Sequence, residues 1–301
     1  MARVHEHPNV VHAAGSLVTL TAQAPPLGSG AVATIVRSPP RVGGEYRVRA
    51  ADGREAVVAF DGLRLVRADQ QDAGPAAVDL ASRVVLDSVV GSQAYGLETS
   101  GSDTDRKGVF VPTAAAHWSL GGVPEQIEDD ARQAVYWELA KFLRLCLRAN
   151  PTALEVLYSP LVERAEGVGE ELVASRRRFL SARLHQTVSG YAMSQFRKIE
   201  ADVRNRGAVR WKHAMHLIRL LHAAVDCVRR GDLRLAVDEE LRARLLSVKA
   251  GEVPWAEVDA WRLQLHAEFE AALPASRLPE KPDAAWANDV LVRARRAAAE
   301  E

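Results

Sequence analysis

The sequence contains no apolar run that approaches the roughly 20 residues needed to span a bilayer. Residues 1–8 carry His and Glu where a secretory signal would have its apolar segment. Cysteine is scarce, and Cys146 and Cys227 each lie among apolar residues of a helical pattern, which indicates buried thiols rather than a disulfide or a metal pair. These absences predict a soluble cytoplasmic protein with no membrane partner.

Patterns of several enzyme classes are missing as well. The sequence has no Cys and His spacing typical of a zinc site, no Ser-His-Asp arrangement and no His cluster of the metallohydrolase kind. A hydrolytic enzyme is therefore disfavoured. What the sequence does have is 301 residues, of which 48% are hydrophobic, enough for a sizeable core and for two or three domains.

Charge is unevenly distributed although the formal net charge is zero. Residues 174–219 contain eleven Lys or Arg and only two acids, a net charge of about +9. For any single arginine a solvated helix face is the simpler interpretation. The density of positive charge nevertheless suits a polyphosphate or a nucleic-acid backbone, so RNA is a candidate partner through this segment.

The pattern along the chain favours an α+β fold with five parts. These are an N-terminal tail (1–15), a small SH3-like β-barrel (16–68), a linker (69–78), a catalytic core (79–160) and a helical domain (161–301). The barrel is predicted from five short strands, at 16–21, 31–37, 45–49, 55–60 and 63–67. Asp52-Gly53 and Asp61-Gly62 separate the last three strands and are typical of hairpins.

A helical pattern begins at Val135 and dominates the second half of the chain. Leu139, Phe142, Leu143 and Cys146 form one apolar stripe. Further helices are predicted at 152–158, 169–182, 185–204, 208–230, 238–250, 255–272 and 285–299. Their stripes are typical of core packing rather than of cofactor binding.

The chemistry concentrates where an apolar segment ends in Gly91-Ser92 and is followed by Asp103-Thr104-Asp105. Side chains two apart in an extended segment point to the same side, so Asp103 and Asp105 can bind one divalent cation while Thr104 faces away. Magnesium prefers such hard oxygen ligands and completes its shell with water and phosphate. Gly91 lacks a Cβ and lets the backbone approach a phosphate, to which Ser92 can donate.

This arrangement resembles the DNA polymerase beta superfamily of nucleotidyltransferases. The signature of that superfamily is an apolar residue, Gly, Gly or Ser, a spacer and Asp-x-Asp or Asp-x-Glu, and here it reads Val90-Gly91-Ser92, ten residues, Asp103-Thr104-Asp105. Apolar segments flank both halves of the motif, as expected of a site built at strand ends.

Most of the chain after residue 80 is also similar to the RNA-repair-associated branch of this superfamily, called RlaP or YcgL-like. The resemblance covers roughly 220 residues and leaves out the first seventy. The segments that carry it are Gly91-Ser92-Gln93-Ala94-Tyr95-Gly96-Leu97, Gly101-Ser102-Asp103-Thr104-Asp105-Arg106-Lys107-Gly108-Val109-Phe110, Glu138-Leu139-Ala140-Lys141-Phe142-Leu143, Ala149-Asn150-Pro151, Leu154-Glu155, Gly190-Tyr191-Ala192, Lys212-His213-Ala214-Met215-His216-Leu217 and Leu278-Pro279-Glu280-Lys281-Pro282-Asp283.

The resemblance implies a mixed sheet, a helical C-terminal domain and transfer of a nucleoside monophosphate from a nucleoside triphosphate such as ATP, with Mg²⁺ or Mn²⁺. Asp103 and Asp105 are then the catalytic metal ligands, with a two-metal clamp on the α phosphate. Gly91, Ser92 and Ser102 are the candidate nucleotide contacts of the first part of the site.

One helix adds a second group of nucleotide-binding candidates. Lys212, His216 and Arg219 are spaced four and three residues apart in the predicted 208–230 helix and share a face, where they can meet the departing pyrophosphate. For His216 the alternative is a buried core histidine, and neither interpretation is favoured.

One position departs from the pattern of the branch. An acid often lies five residues before the Glu at position 138, and here that position is Gln133. Asp129 and Asp130, with Glu128 in the same acidic run, are candidate replacements as metal ligands, and a solvated loop is an equally good interpretation of that run. Glu138 and Glu155 are a second option.

Three functions remain open from the sequence alone. The first is a nucleotidyltransferase that acts on RNA, and the second is a catalytically impaired relative that binds nucleotide or RNA, which Gln133 favours. The third is nucleotidylation of a protein side chain or a small molecule.

Overall fold

A computed structural model of the chain describes residues 12–28, 30–40, 44–50, 52–65, 80–129 and 132–300. The predicted linker (69–78), the first eleven residues of the predicted tail and Asp130 lie outside these ranges. The chain divides into two compact units, one formed by Met1–Ala77 with Trp118–Pro124 and the other by Val78–His117 with Glu125–Glu301.

The first unit contains a five-stranded antiparallel sheet with the order β4-β3-β2-β1-β5. Its strands are β1 Leu17–Leu20, β2 Val32–Arg37, β3 Tyr46–Ala50, β4 Glu55–Val58 and β5 Leu63–Leu65. Alternate side chains such as Ala33 and Ile35 are buried, so each strand contributes one apolar face. All five predicted strands are present. The sheet is consistent with an SH3-like barrel, which stays a prediction.

The two Asp-Gly pairs of this unit behave differently. Asp52-Gly53 forms the predicted hairpin turn between β3 and β4, with Gly53 at φ +85° and the Arg54 amide donating to Asp52 Oδ1. Asp61-Gly62 instead lies in a short 3-10 turn, and β5 pairs with β1 rather than with β4. The second hairpin prediction is therefore wrong, because β4 and β5 are the two opposite edge strands of the sheet.

The second unit contains a mixed five-stranded sheet with the order β10-β6-β7-β9-β8. Its strands are β6 Val84–Val90, β7 Asp105–Phe110, β8 Gln126–Asp129, β9 Ala134–Glu138 and β10 Val162–Ala165. The β7 and β9 strands are parallel, and the other neighbours are antiparallel. The four-residue edge strands β8 and β10 are too short to give a clear alternating pattern and were not predicted from the sequence.

Nine α-helices occur among the described residues. They are α1 Ala114–Trp118, α2 Leu139–Leu147, α3 Pro151–Tyr158, α4 Val168–Ala174, α5 Arg183–Arg206, α6 Trp211–Arg230, α7 Glu239–Ala250, α8 Trp255–Ala272 and α9 Ala284–Glu300. None of them is long and apolar enough to cross a membrane.

Two helix predictions need correction. The segment from Val135 to Glu138 is strand rather than helix, because its β-branched and aromatic residues pair with β7, and Glu138 then caps α2 by accepting from the Ala140 amide. The predicted helix at 169–182 ends at Ala174 and continues as a 3-10 turn, after which the Ala182 amide donates to the Pro279 carbonyl.

One hydrophobic core runs through the sheet and the helices of the second unit. Leu86 and Val109 on one sheet face join Phe142 of α2, Leu157 of α3 and Ile218 of α6, all with no exposed surface. The α6 helix also packs against α5, α7 and α8. Sheet and helical half therefore share one core, and a smaller cluster around Phe110 and Tyr136 covers the opposite sheet face.

Gly108 fixes the close approach of β6 and β7. A Cβ atom at this position would lie 1.8 Å from the Leu86 carbonyl oxygen and 3.0 Å from the Tyr136 ring. The register between the two strands shifts between Val84 and Leu86, so a bulge coincides with this contact. A side chain at position 108 would separate the two central strands.

We expect Gly108→Ala to lower the free energy of unfolding by about 3 kcal/mol or more, since backbone rather than a mobile side chain blocks the new methyl group. Urea denaturation followed by circular dichroism measures the change. Gly190→Ala is the matched control, because nothing lies within 4 Å of its Cβ position in α5, and it should stabilise the protein by about 0.5–1 kcal/mol. Equal stability of G108A and the wild type would contradict this account.

Candidate functional site

The pairing of β6 with β7 brings Gly91 and Asp105 together. Val90, the last residue of β6, pairs with Asp105, the first residue of β7. Gly91 has a φ of +68°, and a Cβ atom built on it would lie 2.9 Å from Asp105 Oδ2. The backbone angle and the short distance both favour glycine, and they place a carboxylate directly against a backbone turn.

The turn after β6 is compact and leaves one hydroxyl free. Ser92 has helical backbone angles and precedes a 3-10 helix at Gln93–Tyr95, and Gly96 at φ +69° ends it. The Leu97 amide closes the turn by donating to the Ser92 carbonyl at 2.8 Å. No described residue forms a hydrogen bond with the Ser92 hydroxyl, which is half-buried and available to a ligand.

The carboxylates of Asp103 and Asp105 are exposed, and neither forms a hydrogen bond or ion pair with a described residue. Thr104 between them accepts from Gln93 Nε2 at 2.8 Å, which ties the aspartate segment to the Gly91 turn. Ser102 is used locally, because its Oγ accepts from the Thr99 amide at 2.9 Å. The structure thus brings Gly91, Asp105 and Thr104 together, and Ser102 supports the loop between them.

The two aspartates fit a hard divalent cation. Magnesium usually takes one or two protein carboxylates and fills its remaining positions with water and substrate phosphate, which matches two unpaired carboxylates at an exposed edge. In the described part of the chain, no three His, Cys, Asp or Glu side chains are grouped so that they could hold a metal ion. A third His, Cys, Asp or Glu ligand would therefore have to come from outside the described residues. The substrate phosphate can otherwise fill that position.

Gln133 is the turn residue directly before β9, and its backbone lies beside the start of β7. Its carbonyl oxygen accepts from the Arg106 amide at 3.1 Å, its backbone φ is +50°, and its side chain is exposed. An acid there would lie at the same sheet edge as Asp105, whereas the amide carries no charge. Glu128 lies on the same sheet face as Asp105 by register, but two strands away, about 10 Å, and it accepts from Gln126 Nε2 at 2.7 Å.

The other acids considered as third ligands lie elsewhere. Asp129 pairs with Ala134, which register places on the sheet face opposite Asp105, and its Oδ1 accepts from the Arg132 amide at 3.1 Å. Asp130 lies outside the described residues. Glu138 pairs with Phe110 at the far end of β7, about 16 Å from Asp105 along the strand, which is too far for both to bind one ion.

A buried charge cluster holds the opposite face of the same strands. Asp87 is 4% exposed, and its Oδ2 accepts from Arg106 Nη1 and from the Tyr136 hydroxyl, each at 3.0 Å. Arg106 also pairs with Glu163 of β10, and this hydrogen bond raises the pKa of Arg106. Burial, together with the neighbouring Asp87, raises the pKa of Tyr136 to about 12. Because Arg106 is held on this face, Asp105 is directed to the other.

The three candidates on α6 differ in exposure. Lys212 is exposed and has no partner among the described residues, whereas Arg219 is only 8% exposed. The Arg219 guanidinium lies 3.7 Å from the Tyr95 ring centroid and donates to Glu155 Oε1 at 3.1 Å. Tyr95 donates to the same oxygen at 2.9 Å. Arg219 is thus bound to the base of the Gly91 turn.

His216 lies one helical turn before Arg219 and is half-buried. Burial lowers its pKa to about 3, and the nearby positive charges of Arg219, Lys212, His213 and Lys249 act in the same direction. Near neutral pH the ring is therefore uncharged. It can offer one N–H group to a phosphate but no positive charge.

Two further contacts brace the turn from the helical half. Arg242 Nε of α7 donates to the Gly96 carbonyl at 2.7 Å, and the Val237 amide donates to the Tyr95 carbonyl at 3.3 Å. The sequence suggests Glu155 only as a metal ligand and gives no role to Tyr95 or Arg242, because the three are distant in the chain and none belongs to the short motif. The resemblance segment that contains Tyr95 was the one available signal.

Much of the positive charge of residues 174–219 is paired within the protein. Ion pairs join Arg177 to Asp232, Arg178 to Asp283, Arg210 to Asp202 and Arg219 to Glu155. The exposed cations without a partner among the described residues are Arg197, Lys198, Arg204 and Lys212. The basic surface that remains for an anionic partner is therefore smaller than the sequence suggests.

Comparison with known proteins gives one family and one relative. A model of the family described as RlaP, RNA repair pathway DNA polymerase beta family, matches residues 65–293. The uncharacterized protein YcgL of Bacillus subtilis (strain 168) is 36% identical over 75 residues, which are 24% of this chain and 29% of the relative. The chain therefore matches less than a third of the length of that relative. No solved structure matches the chain.

We expect Gly91→Ala to displace the Asp105 carboxylate, since the new methyl group would lie 2.9 Å from Oδ2. The left-handed backbone adds a cost of about 1–2 kcal/mol in unfolding free energy. Manganese affinity, measured by electron paramagnetic resonance titration, should fall by about tenfold or more. Gly207→Ala, at φ +65° with nothing within 4 Å, should cost similar stability and leave the metal affinity unchanged. Equal metal affinity in both variants would contradict the placement of Asp105.

The lowered pKa of His216 predicts a pH dependence of stability. The unfolded state takes up a proton near pH 6.5 and the folded state only near pH 3, so His216 contributes a stability that is complete above pH 6.5 and is lost as the pH falls toward 3. His216→Gln removes this titration. Urea denaturation between pH 4.5 and 7.5 should therefore show a shallower decrease in H216Q than in the wild type. Burial also lowers the pKa of His222. Because His222 is present in both proteins, its contribution to the pH dependence cancels in the comparison. Parallel curves would contradict the assignment.

Proposed function

The chain belongs to the RNA repair pathway DNA polymerase beta family, and from this premise we propose that it is a metal-dependent nucleotidyltransferase. The reaction proposed is transfer of a nucleoside monophosphate from a nucleoside triphosphate to a hydroxyl acceptor. The observation that carries the proposal is the contact of the Asp105 carboxylate with the Gly91 turn. This proximity supports an anion site next to a cation site, as a metal-bound triphosphate would require.

In this proposal Asp103 and Asp105 would hold Mg²⁺ or Mn²⁺, and the ion would supply positive charge against the phosphate oxygens. The Ser92 amide and hydroxyl donate to the β and γ phosphates, and Gly91 lets the backbone approach them. Lys212 offers an exposed positive charge and His216 an N–H group to the departing pyrophosphate. No covalent enzyme intermediate is needed, because positioning and charge neutralisation carry phosphoryl chemistry.

The bond changes are those of a single in-line displacement. The acceptor oxygen forms a bond to the α phosphorus while the bond from that phosphorus to the pyrophosphate oxygen breaks. The acceptor hydroxyl proton has to leave at the same time, and Gln133 cannot accept it because an amide is not a base at neutral pH. Among the residues at this edge, the carboxylates of the aspartate pair or bulk water take that proton.

RNA is the acceptor that the family description favours. The exposed cations Arg197, Lys198 and Arg204 of α5 support an anionic polymer as partner. Protein side chains and small molecules are the competing acceptors. A steep salt dependence of RNA binding would favour RNA, because displaced counterions make that affinity sensitive to salt.

Gln133 supports one alternative function. A relative that lacks the third acid would bind the metal-nucleotide complex and transfer slowly or not at all, acting as a nucleotide or RNA sensor. Binding of a triphosphate without label transfer to any acceptor would identify this case.

The test is label transfer from α-labelled ATP, GTP, CTP or UTP with Mg²⁺ or Mn²⁺, followed by a search for label on RNA, protein and small molecules. Asp103→Asn should abolish transfer and keep the thermal unfolding midpoint within about 2 °C, because one carboxylate of the pair is lost at an exposed position. Asp61→Asn, an exposed aspartate of the first unit, is the matched control and should transfer at the wild-type rate. Full metal-dependent transfer by D103N would refute the assignment.

A further inference from the structure

Lys107 lies in β7 and is half-buried, yet its ammonium group forms no hydrogen bond or ion pair with any described residue. Lys141, which is half-buried in the same unit, donates to Gln126 Oε1 at 3.2 Å and lies 3.8 Å from Glu125. A partly desolvated cation without a partner is costly, because desolvation weakens its hydration without an opposite charge in return. Lys249 of α7 is also half-buried and without a partner among the described residues, so what distinguishes Lys107 is its place beside the aspartates.

The strand register places Lys107 on the same sheet face as Asp105. Lys107 pairs with Ser88 and with Val135, and Asp105 pairs with Val90, and directly paired residues share a face. The two residues are two positions apart in β7, about 7 Å along the strand. Lysine has a long flexible stem, so its ammonium group can reach the sheet edge at which the Gly91 turn and the aspartates meet.

The carboxylates around this face leave Lys107 unpaired. Glu155 is bound by Tyr95 and Arg219, and Glu128 is bound by Gln126. Asp105 lies on the same face and is also without a partner, yet the two form no ion pair within 4 Å. The Lys107 ammonium group and the Asp105 carboxylate thus lie on one face of the sheet, and neither is paired with a described residue.

Arg219 provides a second, independent observation at this face. Its Nε and Nη1 atoms are buried and have no hydrogen-bond partner among the described residues, although Nη2 is bound to Glu155. Its partner Glu155 lies in α3, which contacts the strand beside Lys107, because Ser88 of β6, the pairing partner of Lys107, donates to the carbonyl of Val156. Two cations with unused donors therefore belong to one side of the sheet.

We propose that Lys107 is a further nucleotide-binding residue, whose ammonium group donates to a phosphate oxygen of the triphosphate held between the Gly91–Ser92 turn and the aspartates. The inference rests on the proposed function and adds to it a residue that the motif does not identify. Arg106, its neighbour, cannot take this role, because Asp87 and Glu163 hold it on the opposite face. Lysine acts here as a point charge, the way in which it commonly binds phosphate.

The experiment measures magnesium-ATP affinity of the full chain by calorimetry, for wild type, Lys107→Met and Lys107→Arg. Loss of a hydrogen bond to a charged group predicts that K107M binds about 10- to 100-fold more weakly, and K107R should recover most of the affinity. Lys141→Met is the matched control and should bind as the wild type does, since Lys141 follows β9 at the sheet end opposite Asp105. Magnesium tripolyphosphate, which has no nucleoside, should show the same ratio between wild type and K107M.

The outcomes separate this inference from the proposed function. In one outcome Asp105→Asn loses nucleotide binding while K107M keeps the wild-type affinity. This result overturns the role of Lys107 and leaves the proposed function standing. A loss confined to ATP and absent with tripolyphosphate also overturns it, because the contact would then not be to phosphate. No binding of any triphosphate by the folded wild type overturns both. Should K107M fail to fold, Lys107→Gln gives the same comparison.

Discussion

The antiparallel pairing of β6 with β7 is the constraint on which the rest of the second unit depends. Gly108 allows the strands to approach, because a Cβ there would collide with the Leu86 carbonyl. The buried Asp87 holds Arg106 on one face, so the residues on either side of it, Asp105 and Lys107, face the other. Removing one partner of such a buried pair would leave an uncompensated charge, which is costly.

The helical half of the chain could be predicted closely from the sequence, and the sheet only in part. The 255–272 helix was predicted with the observed bounds, because Val258, Trp261, Leu265 and Phe269 define one buried stripe. The pattern of residues 135–138 predicts a helix because their apolar side chains fit either period, whereas the long-range pairing with β7 makes them a strand. Short edge strands such as β10 carry too few residues for a clear pattern.

The candidate site shows the same division between local and long-range information. The adjacency of Gly91 and Asp105 was expected, because a strand end followed by a short loop and a second strand brings the two segments together. The burial of Arg219 against Tyr95 and Glu155 could not be predicted from helical spacing. The spacing shows which residues share a helix face, but it does not show which residues pack against that face. The pairing of many arginines in residues 174–219 was hidden for the same reason, since acids such as Asp232 and Asp283 are remote in the chain.

The backbone conformation at Gln133 decides which side chains this position can accept. A φ of +50° lies in the left-handed region, which aspartate and asparagine populate several-fold more readily than other side chains apart from glycine. The position is also open to solvent, so a charged group there would suffer little desolvation. Nothing in the local conformation therefore selects glutamine over an acid. A Gln133→Asp substitution therefore suits both the backbone conformation and the exposure of this position, and it would add a negative charge beside the start of β7.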